Sequence, residues 1–442
     1  MNSLVLYSWF PVVLYLFRRF PPQRALIISF VSAWLFLPLA GFKLPGIPFE
    51  YNRMSATCLA ILLATCLYDF ERFKSFRFHW LDLPIVVWCL CSFASSITNG
   101  LGAYDGFSST LGRIVEWGAP YFLGRIYLNN FIGLRQLAIG IFLGGLAYIP
   151  FCLFEVATHV NSHGLIYRFT VGAADLRYGG YRPSVFQRNG LVLGTWMMFA
   201  SLMGVVLWKT KTIKQVKNIP ITWLITALLI TFILVKATGA TFLLLVAIAI
   251  VLTALWYGTG SLLWLFLGAT FIYLYLGAVG DFPGQKIIDF LGEFVAPDRL
   301  QSLGFRFMNE EMLSAKARER ILFGWGGYGR NMLYKEGGYA ITVTDSLWII
   351  AFGQNGLVGL ISVFATLLTP VFSFWSFYPP ASWSHPTIVI IAAFAVGLAM
   401  HAFDNVLNAF YNPVLILGSG GLTGMLLNQK LQSFSARQSV VR

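Results

Sequence analysis

Gly324-Trp325-Gly326-Gly327-Tyr328-Gly329-Arg330, followed by Thr344-Asp345-Ser346-Leu347-Trp348, closes the longest polar stretch of the chain and turns it back into an apolar one. On its N-terminal side, residues 280–345 hold eight basic and eight acidic residues before Asp345. On its C-terminal side, residues 346–369 carry no charge at all. A run of that kind is long enough to cross a hydrocarbon layer as a helix, since about 20 apolar residues at about 1.5 Å each span about 30 Å.

The pattern repeats on both sides. Apolar segments lie at 3–17, 24–41, 53–69, 83–98, 108–128, 136–158, 189–208, 220–235, 239–257, 261–279, 346–369, 386–404 and 408–427. The chain is 57% hydrophobic and 11% charged, against about 25% charged in globular domains. A helix satisfies its own backbone in lipid. The expectation is therefore all-α: a polytopic membrane helical bundle of about 12–13 transmembrane helices. Residues 1–442 form one integral membrane domain, with 280–345 as a long extracytoplasmic loop contributing to the site. No internal repeat is visible, and the N-terminus lacks the basic stretch of a cleavable signal peptide.

The net charge of +13 reads as loop bias rather than as a nucleic-acid signal, because cytoplasmic loops collect Lys and Arg. With the N-terminus outside and the C-terminus inside, the inside segments hold Arg18, Arg19 and Arg24; Arg72, Lys74 and Arg77; Arg125 and Arg135; Lys209, Lys211, Lys214 and Lys217; and Lys430, Arg437 and Arg442. Short outside loops at 42–52 and 99–107 hold only Lys43. Two outside segments break the rule. One is 159–188, with Arg168, Arg177, Arg182 and Arg188 against Asp175; the other is 280–345. In the latter, Phe305, Met308, Met312 and Ile321 recur at helical spacing, predicting a surface-lying amphipathic helix near 305–322.

Arginine grips phosphate oxygens bidentately and keeps its charge. Arg182 and Arg188 bracket a short loop before a helix that starts near Asn189, whose free N–H groups favour anions. Lys236 sits at a break between two spans, where a cation needs a partner. Arg330 and Arg306 in the late loop are further candidates. Asp345, at the mouth of an apolar helix, is a base, an acceptor that orients a hydroxyl, or a helix cap. Arg113 and Glu116, at i,i+3, are placed to neutralise each other. His401, Asp404, Asn405 and Asn408 read as interhelical hydrogen bonding. The five cysteines all fall in apolar segments and read as small buried side chains. No His, Cys and Glu set has metal spacing, so neither metal nor cofactor is expected.

Three blocks resemble the O-antigen polymerase and O-antigen ligase superfamily of bacterial surface-polysaccharide enzymes. Arg182-Pro183-Ser184-Val185-Phe186-Gln187-Arg188-Asn189-Gly190 is similar to its Arg-bearing loop, and Lys236-Ala237-Thr238-Gly239-Ala240 to its Ser-Arg-Gly stretch. The third block runs from Gly324-Trp325-Gly326 through Asp345-Ser346 to Gly356-Leu357-Val358-Gly359-Leu360. It resembles the family's Gly-rich loop, polar residue and Gly-Leu-x-Gly-Leu helix. The likeness covers roughly residues 100–430. Many relatives carry His where Asp345 stands and Arg where Lys236 stands, which favours an exopolysaccharide repeat-unit polymerase over a ligase.

The resemblance implies a membrane-embedded, metal-independent glycosyltransferase of the bacterial cytoplasmic (inner) membrane. Its donor is a polyprenyl-diphosphate-linked oligosaccharide and its acceptor a second glycan, joined by an inverting displacement. Arg182, Arg188 and Lys236, then Arg330 and Arg306, would hold the diphosphate, and Asp345 would serve the acceptor hydroxyl. Membrane lipids and other polysaccharide-assembly proteins are the expected partners, and nucleic acid is not. Two alternatives stay open: a ligase that transfers glycan to a lipid A core, and a transporter or flippase of anionic lipid-linked glycans, which would use the arginines for binding alone.

Overall fold

The computed structural model describes residues 2–171, 175–177, 179–293 and 297–440, with backbone only at 175, 291, 297–299, 302 and 430–440. The charges assigned above to Asp175, Lys430, Arg437 and Arg442 lie outside the described side chains.

Every apolar segment becomes a helix. In chain order these are α1 (Asn2–Arg19), α2 (Pro22–Phe36), α3 (Arg53–Tyr68), α4 (Leu83–Thr98), α5 (Ala103–Arg113), α6 (Ala119–Tyr127), α7 (Phe131–Thr158), α8 (Gly190–Lys209), α9 (Ile221–Leu234), α10 (Thr238–Tyr257) and α11 (Ser261–Val279). After them come α12 (Gly284–Leu291), α13 (Pro297–Arg318), α14 (Leu347–Phe377), α15 (Pro386–Leu407) and α16 (Pro413–Val440). A π-turn at Ile114–Gly118 joins α5 to α6. Among the described residues, strands are confined to short hairpins such as β1 (Gly41–Lys43) with β2 (Glu50–Asn52) and β3 (Asp175–Arg177) with β4 (Gly180–Arg182).

The chain is an all-α helical bundle, and seven of its helices are long and apolar enough to cross a membrane. Helices α3 and α9 are apolar but shorter. The most enclosed spans are α8 and α15, while α11 lies at the rim. Packing joins both neighbours and distant parts of the chain: α1 on α3, α7 on α8 and α14 on α15, but also α14 on α4 and α6 along α16. Helix starts are set by local chemistry. Asn52 and Ser55 form a reciprocal capping box at α3, and the Asn189 side chain accepts from the N–H groups of Leu191 and Val192 at α8. Each cap satisfies donors that a helix start otherwise leaves open.

Helix α14 is broken. Gly356 has φ 64° and ψ −162° inside it, a combination essentially reserved for glycine. A break in a membrane helix frees backbone groups that lipid cannot satisfy. Here residues 321–326 satisfy them. Trp325 N–H and Gly326 N–H donate to the carbonyls of Gly353 and Gln354 at 2.8 and 3.0 Å, while Leu357 and Val358 N–H donate to those of Ile321 and Leu322 at 2.8 and 3.3 Å. The Ser95 hydroxyl adds a bond to Gln354 O at 2.7 Å. The glycine-rich stretch is thus spliced into the helix it precedes.

The helix expected near 305–322 is α13, with Phe305 and Met308 exposed along it and Asn309, Leu313, Ser314 and Ala317 as its buried stripe. Two expectations are corrected. Cys66 is exposed, whereas Cys58, Cys89, Cys91 and Cys152 are buried. No ion pair joins Arg113 to Glu116 among the described residues. The π-turn shifts Glu116 out of helical register, and Arg113 lies 3.8 Å over the Trp88 ring instead.

Candidate functional site

A cleft of about 380 Å³ opens where β3–β4, the starts of α8 and α10, α13 and the end of α15 meet. Arg177, Arg182, Lys236 and Arg306 line it together with Asp404 and Asn408, and Leu191, Phe242, Leu243, Leu303 and Phe403 supply an apolar wall. Three of the five cations chosen from sequence, Arg182, Lys236 and Arg306, therefore share one site.

Each cation is positioned by a specific device. The hairpin pairs Arg177 with Gly180, and a side chain at Gly180 would collide with the Lys236 ammonium. Lys236 turns the chain between α9 and α10 with φ 55°, and its Nζ donates to Arg177 O at 3.0 Å. Arg182 is buried. Arg306 reaches across from α13 to donate to Leu407 O at 3.0 Å and to Asn408 Oδ1 at 3.5 Å, placing a cation at the negative end of α15. Thr238 and Gly239, at the start of α10, face the same cleft and bring a positive helix end to it.

Asp404 is the carboxylate of this cation cluster. It is buried, and each oxygen accepts one side-chain hydrogen bond, from Thr195 Oγ1 at 3.0 Å and from Asn408 Nδ2 at 2.8 Å. Arg306, Asn408, Asp404 and Thr195 thus form one polar chain. The nearby His401 and Asn405 are bonded to each other at 3.1 Å within α15, and the bond that joins this group to another helix is the one from Thr195 of α8 to Asp404.

Arg188 faces a second cleft. That cleft, about 270 Å³, is lined by Arg188, Arg53, Glu50, Glu116, Gln187 and Tyr411 among others. The two clefts lie on either side of the α8 start: Leu191 and Asn408 line the first, and their neighbours Val192 and Ala409 the second. The loop carrying both arginines is fixed by Glu155 of α7. This buried carboxylate accepts from Ser162, Ser184 and Val185 N–H at 2.6, 2.9 and 3.0 Å. Arg53 supports the same region through Trp34 O at 2.9 Å and the Trp34 ring at 4.0 Å.

Neither Asp345 nor Arg330 lines either cleft. Asp345 is exposed, and the cap position of α14 belongs to Ser346, which makes no side-chain cap; the cap reading of Asp345 is therefore set aside. Ser346 instead donates to Glu310 at 2.7 Å, alongside Tyr273 at 2.6 Å and Trp348 at 3.2 Å. Loss of water raises the Glu310 carboxyl above its usual range, against the pull of these three donors. Arg330 donates to Gly327 O at 3.2 Å and lies 5.3 Å from the Tyr328 ring centre.

Arg177, Asp404, Glu155 and Arg53 are not among the site residues expected from the sequence. The signal was there for three of them, since an ionisable group inside an apolar segment is costly unless it has work to do. Set against protein-family models and against curated protein sequences, the chain matches none.

Proposed function

We propose that this chain is a membrane-embedded glycosyltransferase that polymerises polyprenyl-diphosphate-linked oligosaccharide repeat units into a surface or exopolysaccharide. The observation that carries the reading is the convergence of Arg177, Arg182, Lys236 and Arg306 on one cleft with an apolar wall and a single buried carboxylate. A lipid diphosphate has that mixed character: two phosphates on an apolar chain.

In the proposed reaction a hydroxyl oxygen of the acceptor glycan attacks the anomeric carbon of the donor. The bond from that carbon to the phosphate oxygen breaks, and the lipid diphosphate leaves with the electron pair. Charge grows on the leaving group, so cations placed there stabilise the transition state more than the ground state. Asp404, with both oxygens oriented by Thr195 and Asn408, accepts the hydroxyl proton. This takes over the role that sequence reasoning gave to Asp345.

Full-length protein in lipid nanodiscs, supplied with a polyprenyl-diphosphate-linked repeat unit, tests the reading. Lengthened glycans should appear, with one lipid diphosphate released per new bond. Product that forms only when a lipid A core acceptor is added would make the protein a ligase. Movement of intact lipid-linked glycan with no new glycosidic bond would make it a transporter.

A further inference from the structure

A third cavity, of about 210 Å³, lies between α4, the α5–π-turn junction, the spliced loop and the last turn before the break in α14. It differs in kind from the two cationic clefts. Ser92 and Asn355 are each more than nine-tenths buried, yet Ser92 Oγ, Asn355 Oδ1 and the Arg113 Nη1 atom have no hydrogen-bond partner among the described residues. All three residues line this one cavity. A buried polar atom without a partner in the protein calls for water or a ligand, and three such residues line this one small space.

The chemistry of the lining narrows that ligand. Arg113 offers N–H groups, Ser92 a hydroxyl, Asn355 a carbonyl oxygen and Glu116 a carboxylate. Donors and acceptors are mixed, and the one cation is offset by the one anion. An anion would meet Glu116 and Asn355 Oδ1 with like partial charge. A neutral polyol ring donates and accepts around its whole edge and suits the set. The volume is below that of pockets for drug-sized ligands, about 300 Å³ or more, so it admits a single ring. At the rim stands Tyr328, which is 73% exposed with Arg330 lying against it, an aromatic face free to stack on a sugar.

Two backbone irregularities shape the cavity. The π-turn supplies Glu116, and the break at Gly356 follows directly on Gln354 and Asn355. Both kinds of feature recur at functional sites. Glu116 also lines the Arg188 cleft, so the two spaces adjoin.

We infer that this cavity is a subsite for one neutral pyranose ring, recognised by Ser92, Arg113, Asn355 and Glu116 and stacked on Tyr328. That the ring belongs to the acceptor glycan rests on the glycosyl-transfer reading; that the cavity binds a sugar does not.

The test is saturation-transfer NMR on the full-length protein in nanodiscs. The probes are methyl pyranosides of glucose, galactose, mannose, N-acetylglucosamine and rhamnose. The wild type should give signal with at least one of them. Asn355→Leu and Tyr328→Ala should each bind about tenfold more weakly, as loss of one good contact to a ligand implies, whereas Lys214→Ala, at an exposed position outside the cavity, should bind as the wild type does. Asn355→Leu should melt close to the wild type, since Asn355 Oδ1 has no partner among the described residues; the melting temperature separates lost binding from lost structure. Signal from none of the glycosides, equal signal in Asn355→Leu, or displacement of the glycoside by inorganic phosphate overturns the inference. Polymer formation without glycoside binding would sink the subsite and spare the polymerase. Glycoside binding without polymer would do the reverse.

Discussion

At the scale of single residues, the question is which charges act and which only hold the fold. Arg182 is buried beside the start of α8, where a planar fork can be held in one orientation. Arg182→Lys keeps the charge and loses the fork. Turnover should fall on the order of thirtyfold, the equivalent of about 2 kcal/mol of charged hydrogen bonding, and steady-state polymer synthesis measures it. The two acids give opposite expectations. Asp404→Asn keeps the shape but cannot take a proton, so the rate should drop by about 10²–10⁴, while Asp345→Asn, at an exposed position, should work normally. Full activity in Asp404→Asn together with loss in Asp345→Asn would return the base to position 345.

At the scale of elements, the splice between residues 321–326 and α14 and the Glu310 knot tie the long loop to the bundle. A Cβ at Gly356 would strike the Leu322 carbonyl, and the backbone there is strained for any other residue. Gly356→Ala should therefore cost more than about 2 kcal/mol, seen as a lower melting temperature by tryptophan fluorescence. Glu310 gives the loop a dependence on pH. Its carboxyl is raised in the fold, so the folded state binds the proton more tightly than the unfolded chain does. The stability this gives is complete below the unfolded value, about pH 4.3, and is lost as pH rises through the folded value. Glu310→Gln should flatten that slope and melt higher than the wild type on the alkaline side. A parallel slope in the variant would show that Glu310 ionises as an ordinary exposed carboxylate does.

At the scale of the whole molecule, the bundle was legible because lipid leaves few options. Each run of apolar residues had to become a helix, and each did. The site was legible only in part. Arg182 and Lys236 stood out as cations at helix edges, and pairwise sequence reasoning could not see that β3–β4 would deliver Arg177 to them or that Arg306 would arrive from a loop more than a hundred residues away from Arg182. Asp345 stands at a helix mouth, and that position alone does not say which cleft, if any, a side chain lines. Arg113 and Glu116 face one cavity without a direct ion pair among the described residues, because the π-turn between them leaves no mark in an i,i+3 count. The orientation across the membrane rests on loop charge alone and has a direct check. With Cys66, the exposed native cysteine, replaced by Ser, a cysteine at Gln301 should react with an impermeant reagent from outside the cell and one at Lys214 only from inside. The converse pattern would invert the molecule and place the cationic cleft on the cytoplasmic face.

The spliced helix also makes two distant parts of the chain interdependent. As a continuous helix, Leu347–Phe377 would satisfy every amide within itself. Bending at Gly356 frees four backbone groups, and the partners that receive them belong to Ile321, Leu322, Trp325 and Gly326. The bend and the folded loop are therefore one cooperative unit, and a substitution that loosens either, such as Gly356→Ala, also opens the cavity that lies beside them.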